Sequence, residues 1–253
     1  MKTLLLCDDC NIQEVSKLSK KHKLGIEVQS YFKPNMFDDV VQLDIHRKCI
    51  TGVSPLCLHA PYGDLCPGSF DPMVRDVARN RFELAYKVST QLNITNMVFH
   101  VGWIPGAGNI NNWANRCVDF WNDYTDKKPD DMNFYIENLF DLDPEMLLLL
   151  MDGINKQNVK VCLDIGHLHC KSKLNEIEWI RVLGKSIGYV HIHDNHGVED
   201  EHLGIGKGNI PMVETLTALN NYAPEAKWAI ETHVEDIVQS LEWLKENGFF
   251  PTP

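Results

Sequence analysis

Short apolar, β-like runs alternate with longer amphipathic stretches along this chain, and few folds accept that rhythm eight times over. The β-like runs are Thr3–Cys7, Gly25–Ser30, Leu56–His59, Met97–Val101, Phe134–Glu137, Lys160–Asp164, Gly188–His191 and Trp228–Glu231. Helix-like segments follow each of them, near Ile12–His22, Asp38–Ile50, Pro72–Leu92, Asn111–Tyr124, Pro144–Asn155, Leu174–Leu183, Pro211–Asn220 and Val234–Asn247. Eight alternating β and α units predict a parallel sheet with crossover helices. Closure into one α/β domain, a (β/α)8 TIM barrel over residues 1–253, is the simplest arrangement of eight, and the length suits it. A doubly wound open sheet is the alternative. It requires a Gly-rich turn after the first strand, where this chain has Cys7-Asp8-Asp9-Cys10. Pro72, Pro144 and Pro211 sit where first helical turns are expected, and Asn247-Gly248 closes the last helix.

Charge and composition narrow the function classes. With 44% apolar residues the chain can bury a large core. A net charge of −11 argues against nucleic acid as a partner, because Lys and Arg supply much of that affinity. No apolar run reaches membrane-spanning length. The segment Met1-Lys2-Thr3 and its three leucines are too short for a signal-peptide core. Eight cysteines without such a signal predict reduced thiols and a cytoplasmic protein, and the acidic charge and a closed barrel are compatible with a monomer or a homodimer. Cys57 and Cys162, inside apolar runs, are expected to pack as small hydrophobes.

The chemistry lies at the strand ends. Six consecutive β-like runs finish on His59, His100, Glu137, Asp164, His191 and Glu231. In a barrel these ends share one face, where barrel enzymes keep their active sites. Inward imidazoles and carboxylates are costly to bury unpaired, and a divalent cation removes that cost. Mixed His, Asp and Glu donors suit zinc or manganese better than magnesium. A single His at a strand end is ordinarily a hydrogen-bonded structural group, and an acid there often caps the next helix; it is the series of six that points to metal. His167, Asp200 and His202 form a possible separate site, whose plainer reading is a solvated acidic loop.

Leu58-His59-Ala60-Pro61-Tyr62, Phe99-His100-Val101-Gly102, Ile136-Glu137-Asn138, Leu163-Asp164-Ile165-Gly166-His167, Val190-His191-Ile192-His193-Asp194-Asn195 and Ile230-Glu231-Thr232 together resemble the xylose isomerase-like barrel superfamily. That group includes sugar isomerases and epimerases and the endonuclease IV family. The resemblance implies a core metal site of Glu137, Asp164, His191 and Glu231, with Glu137 and Glu231 as the acid/base pair at a substrate carbon and His167 on substrate hydroxyls. The endonuclease IV branch implies two more ions, one on His59, His100 and Glu137 and one on His167, Asp200 and His202, so that one to three ions are expected.

The surroundings favour the sugar branch. Asn138-Leu139-Phe140-Asp141 follows Glu137 in place of the Gly-rich stretch of endonuclease IV proteins. His193-Asp194-Asn195-His196-Gly197 stands where those proteins carry a Lys, and Tyr62–Ser69 has no cation for bending DNA. The expectation is an isomerase or epimerase of a sugar or sugar phosphate. The alternatives are a metal-dependent phosphodiesterase acting on abasic DNA and a metal-binding barrel without catalysis. Trp103 is a candidate for stacking on a sugar ring, and Lys207 for a substrate phosphate. His193, on the same strand face as His191, is expected to bind substrate or support the ligands. Glu27 is expected either to contact substrate or to pair with a cation. Cys7-Asp8-Asp9-Cys10 has thioredoxin spacing without the βαβ context, and Gly204-Ile205-Gly206-Lys207-Gly208 lacks Walker spacing.

Overall fold

The computed structural model describes residues 2–251. Among them, eight strands close into a parallel barrel in chain order: β1 (Leu4–Cys7), β2 (Gly25–Val28), β3 (Leu56–His59), β4 (Asn96–His100), β5 (Asn133–Glu137), β6 (Val159–Asp164), β7 (Ile187–Ile192) and β8 (Lys227–Ile230). β8 pairs back onto β1, so no strand edge is left open. The outer helices are α1 (Ile12–His22), α2 (Val40–Ile50), α3 (Pro72–Gln91), α4 (Ile110–Asp126), α5 (Glu145–Gly153), α6 (Ile165–Lys171), α7 (Glu176–Leu183), α8 (Met212–Tyr222) and α9 (Ile237–Glu246). The open-sheet alternative is therefore set aside.

Strand alternation divides the barrel into two chemistries. Outward positions such as Leu6, Ile26, Leu58, Phe99, Ile136, Leu163, Val190 and Ile230 pack with the helices into the main apolar core. Inward positions Leu5, Cys7, Cys57, Val98, Tyr135, Cys162, Tyr189 and Ala229 form a second, separate cluster inside the barrel. Two residues further along their strands, the same inward face carries His59, His100, Glu137, Asp164, His191 and Glu231. An apolar plug thus supports a polar floor at the C-terminal end. Cys57 and Cys162 lie within the plug as expected, and all eight cysteines are free.

Local capping explains most helix starts. The Asp71 carboxylate accepts the Met73 amide at 2.8 Å, with Pro72 in the first turn of α3. Pro144 and Pro211 fall one place earlier than expected, at the caps of α5 and α8. Gly248 takes φ +77°, which ends α9. The one unanticipated helix is α6, which starts directly from β6. Asp164 caps it by accepting the His167 amide at 2.7 Å. No helix among the described residues is long and apolar enough to cross a membrane.

The largest aromatic cluster sits between β4 and the α3–α4 layer. Phe99 packs edge-on against Phe82 and Trp121, with centroids at 4.8 and 5.1 Å. Phe99→Ala is expected to lower unfolding free energy by about 3–5 kcal/mol, read from urea denaturation with an unchanged slope. A loss under about 1 kcal/mol would show that this cluster does not anchor the helical shell.

Candidate metal centre and cavity

Three strands and the end of a fourth deliver a tetrad: Glu137, Asp164, His191 and Glu231, with one donor atom of each lying within 4.8 Å of the others. His191 Nδ1 stands at their centre, 3.1 Å from Glu231 Oε2, 3.2 Å from Glu137 Oε1 and 3.6 Å from Asp164 Oδ2. Each acid has its other oxygen engaged elsewhere. Asp164 Oδ1 accepts from the His167 amide and faces His193 Nε2 at 3.2 Å. Glu231 Oε1 accepts from Gln29 Nε2 at 2.5 Å. The remaining oxygens, Asp164 Oδ2 and Glu231 Oε2, are buried without a hydrogen-bond partner. Orphaned carboxylate oxygens are rare in native interiors, and these two face the same imidazole nitrogen. The donor set fits a divalent cation.

The histidines repeat the pattern around two further points. His59 Nδ1 reaches the Ala60 carbonyl at 2.8 Å, which leaves Nε2 aimed at Glu137 Oε2, 3.1 Å away. His100 Nε2 approaches the same oxygen at 3.4 Å. His167 Nδ1 reaches the Asn138 carbonyl at 2.9 Å and His202 Nδ1 the Glu231 carbonyl at 3.0 Å. Their Nε2 atoms converge on Asp200 Oδ2 at 3.2 and 2.9 Å. A neutral imidazole whose Nδ1–H is donated has a lone pair at Nε2. A lone pair facing a carboxylate oxygen requires a proton or a cation between them. The structure therefore brings eight of the nine sequence-predicted ligand residues into three adjoining groups, His59–Glu137–His191, His167–Asp200–His202 and the tetrad; His100 approaches only Glu137 and joins none of them.

Without a cation, protons carry that load. Burial opposes ionisation of Glu137 and Asp164, yet neighbouring imidazoles hold both carboxyls well below the usual range. Burial disfavours the charged forms of His191 and His167, but the surrounding carboxylates raise both well above an ordinary histidine. His202 is pushed up to about 10, its burial outweighed by the hydrogen bond to Asp200 and the charge of Glu231. Burial pushes Glu231 up, reinforced by Asp164 and Glu137 and countered by His191 and His202. Metal uptake would displace these imidazole protons.

A cavity of about 560 Å³ opens above the cluster. Its floor includes His59, His100, His167, Asp200, His202 and Glu231. Its walls include Phe32, Tyr62, Leu139 and Phe140, with Asp9, Asp64 and His233 among the polar groups. Tyr62 stacks on His100 at 4.6 Å, and Phe32 stacks on Tyr62 at 5.7 Å. These wall residues, and Gln29, escaped the sequence reading because a loop aromatic carries no signature of which way it turns.

Several expectations need correction. Trp103 is buried and packs edge-on against Trp113 at 5.4 Å; it does not line the cavity. Lys207 pairs with Asp236 and is also absent from the cavity wall. His193 is fully buried, stacked on His202 at 4.1 Å, and supports Asp164 without facing the cavity. Glu137 is not among the residues that line the cavity, whereas Glu231, the other member of the expected acid/base pair, is. Glu27, expected either to contact substrate or to pair with a cation, lies against His191 Nε2.

The loop after β7 is held by Asp194. Its buried carboxylate accepts the amides of Asn195 at 2.9 Å, Gly206 at 3.0 Å and Ile210 at 3.2 Å. This draws Asp200 and His202 over the floor. Gly166 permits the close packing of His193, since a methyl group there would fall 1.9 Å from its Cε1.

Comparison with known proteins agrees with this geometry. The sequence profile of the family described as "Xylose isomerase-like TIM barrel" matches residues 8–247. An uncharacterised protein of Methanocaldococcus jannaschii is 31% identical over 202 residues, which cover 76% of this chain and 69% of the relative. A probable endonuclease 4 of Persephonella marina is 26% identical over 193 residues, covering 68% of this chain and 67% of the relative. The crystal structure of a D-tagatose 3-epimerase-like protein superposes with a TM-score of 0.77 at 26% identity, over 98% of this chain and 97% of that one.

If the outer groups hold ions of their own, His59→Ala and His202→Ala each lower the zinc equivalents retained after dialysis, measured by plasma mass spectrometry. The thermal transition of each variant should stay close to that of the parent protein. Unchanged stoichiometry in both variants would restrict the centre to the tetrad.

Proposed function

The chain belongs to the xylose isomerase-like TIM barrel family, and we propose that within it the protein is a divalent-metal-dependent isomerase or epimerase acting on an uncharged sugar. One observation carries the reading: Glu231 presents a carboxylate both to the tetrad and to a cavity whose described lining residues include no lysine or arginine. The family holds sugar-converting members, and the solved relative is named for a D-tagatose 3-epimerase.

Glu137, Asp164, His191 and Glu231 would hold the ion, with zinc or manganese the best match to their donors. When bound there, a divalent cation supplies Lewis-acid polarisation of a sugar carbonyl or hydroxyl and acidifies the neighbouring C–H. Glu231 removes that proton and returns it to the adjacent carbon in an isomerisation; an epimerisation needs a second group to return it to the same carbon from the opposite face. Gln29 holds the Glu231 Oε1 atom and limits where the carboxylate can swing. His167 and His202, at the floor, are placed to hydrogen-bond sugar hydroxyls when not occupied as ligands. Tyr62, Phe32 and Phe140 offer apolar faces to C–H groups.

The missing cation sets the substrate class. A sugar whose reacting end reaches the floor extends its other end along the walls. A terminal phosphate there brings nearly two negative charges at pH 7 beside Asp9 and Asp64, where the described walls offer His233 but no lysine or arginine. Lys207, the one expected phosphate contact, is already neutralised by Asp236.

A second reading is an endonuclease IV-like phosphodiesterase. It draws on the three adjoining ligand groups and on the probable endonuclease 4 relative. Three dications would outweigh the four carboxylates Glu137, Asp164, Asp200 and Glu231 and leave the floor positive for a phosphodiester. The walls do not extend that charge along a DNA strand.

The test is hydrogen exchange. The metal-loaded protein, incubated in deuterium oxide with a panel of ketoses, aldoses and their phosphates, is expected to label an uncharged sugar at the carbon next to its carbonyl. Glu231→Gln should lower that exchange by at least about 100-fold. Exchange that survives the substitution would remove Glu231 from the proton-transfer role. Cleavage of an abasic-site oligonucleotide without sugar exchange would select the second reading.

A further inference from the structure

Of the inward-facing residues one layer below the strand ends, Glu27 on β2 is the only one carrying a charge. It is fully buried, in register with Cys7 on one side and Cys57 on the other. Tyr189, of the same apolar plug, lies nearby. A carboxylate in such a layer is strongly disfavoured unless paired. Among the described residues its one ion-pair partner is His191. Both Glu27 oxygens lie close to His191 Nε2, at 3.0 and 3.1 Å.

That contact sets His191 apart from the other floor histidines. His59, His167 and His202 each commit Nδ1 to a backbone carbonyl and aim Nε2 at an acid. His191 is reversed: Nε2 is committed to a carboxylate, and Nδ1 faces Glu137, Asp164 and Glu231. Gln29, two residues beyond Glu27 on the same face, completes the support. Its Nε2 donates to Glu27 Oε1 at 3.2 Å and to Glu231 Oε1 at 2.5 Å.

We propose that Glu27 is a positioning residue for the metal centre: by accepting the Nε2–H of His191 it fixes the tautomer that offers Nδ1 to the ion, while Gln29 ties the same carboxylate to Glu231. A charged acceptor raises the basicity of a ligating imidazole as well as orienting it. The inference rests on reading the tetrad as a metal site and not on the sugar chemistry assigned to it. A competing use of these atoms is an ion held by Cys7, Glu27 and His191 Nε2, which lie within 4.8 Å of one another. That use competes with the tetrad for the same ring, since His191 Nε2 can bind an ion there only by giving up the Nε2–H that faces both Glu27 oxygens.

Zinc affinity by chelator competition and long-range proton–nitrogen NMR of 15N-histidine-labelled, zinc-loaded protein test the proposal together. In the parent protein His191 should show a protonated Nε2 and a metal-shifted Nδ1. Glu27→Ala should lose the protected Nε2–H signal and weaken the tightest zinc site roughly 10- to 100-fold, at unchanged stoichiometry. Glu27→Gln keeps a neutral acceptor and is expected to retain the Nε2–H signal with an intermediate affinity; it also serves if Glu27→Ala does not fold. Parent-like affinity and tautomer in the folded variants would overturn the proposal. So would loss of one zinc equivalent with the tightest site unchanged, which would make Glu27 a ligand. Neither readout uses a sugar, so failure of the isomerase reading remains a separate result.

Discussion

Everything at the C-terminal end of this barrel depends on the mutual repulsion of its buried acids. Glu27, Glu137 and Asp164 are enclosed, and Glu231 is nearly so, yet no lysine or arginine is paired with any of them among the described residues. Their only positive partners are imidazoles, which are themselves costly to charge in such surroundings. One His191 ring stands between Glu27 on one side and three carboxylates on the other. An arrangement of this kind is stable only if protons or cations are drawn into it. The apolar plug beneath keeps water from relieving the strain from below, and the cavity above leaves one route by which an ion or a substrate arrives.

Fold and floor were legible because both follow from short-range periodicity. Each of the eight strands was visible as an apolar run, and a barrel needs only the count and the alternation. The floor was visible because a strand end is also a barrel rim, so His59, His100, Glu137, Asp164, His191 and Glu231 could be placed on one face without any contact being known. α6 was missed because Ile165–Lys171 is short and its start is a cap made by Asp164 itself, a residue already read as a strand end. Glu27 was left between a substrate contact and a cation partner, since the choice depends on the His191 ring five strands further along the chain. Trp103 and Lys207 were misplaced because their partners, Trp113 and Asp236, are set by how long loops fold back.

A division of labour between floor and walls follows from the same physics. The floor concentrates negative charge and histidine nitrogens, which suits a dication and the oxygen atoms of a substrate. The walls combine aromatic faces with acids and His233 but, among the described lining residues, no lysine or arginine, which suits a small uncharged polyol better than a phosphate or a nucleic acid strand. Of the two glutamates expected to move a proton, Glu231 lines the cavity, and Glu137 has one oxygen against His59 and His100. A single exposed carboxylate can move a proton between adjacent carbons on one face of a sugar. Inversion at one carbon needs a second group on the opposite face.

The central claim is that the buried acids and imidazoles are arranged around a cation. Anomalous diffraction from crystals of the zinc-loaded protein, recorded on both sides of the zinc absorption edge, tests it most directly. The account expects a peak at about 2.0–2.2 Å from Glu137 Oε1, Asp164 Oδ2, His191 Nδ1 and Glu231 Oε2. Zinc found only at surface histidines, with these four side chains in their present hydrogen-bonded positions, would contradict it.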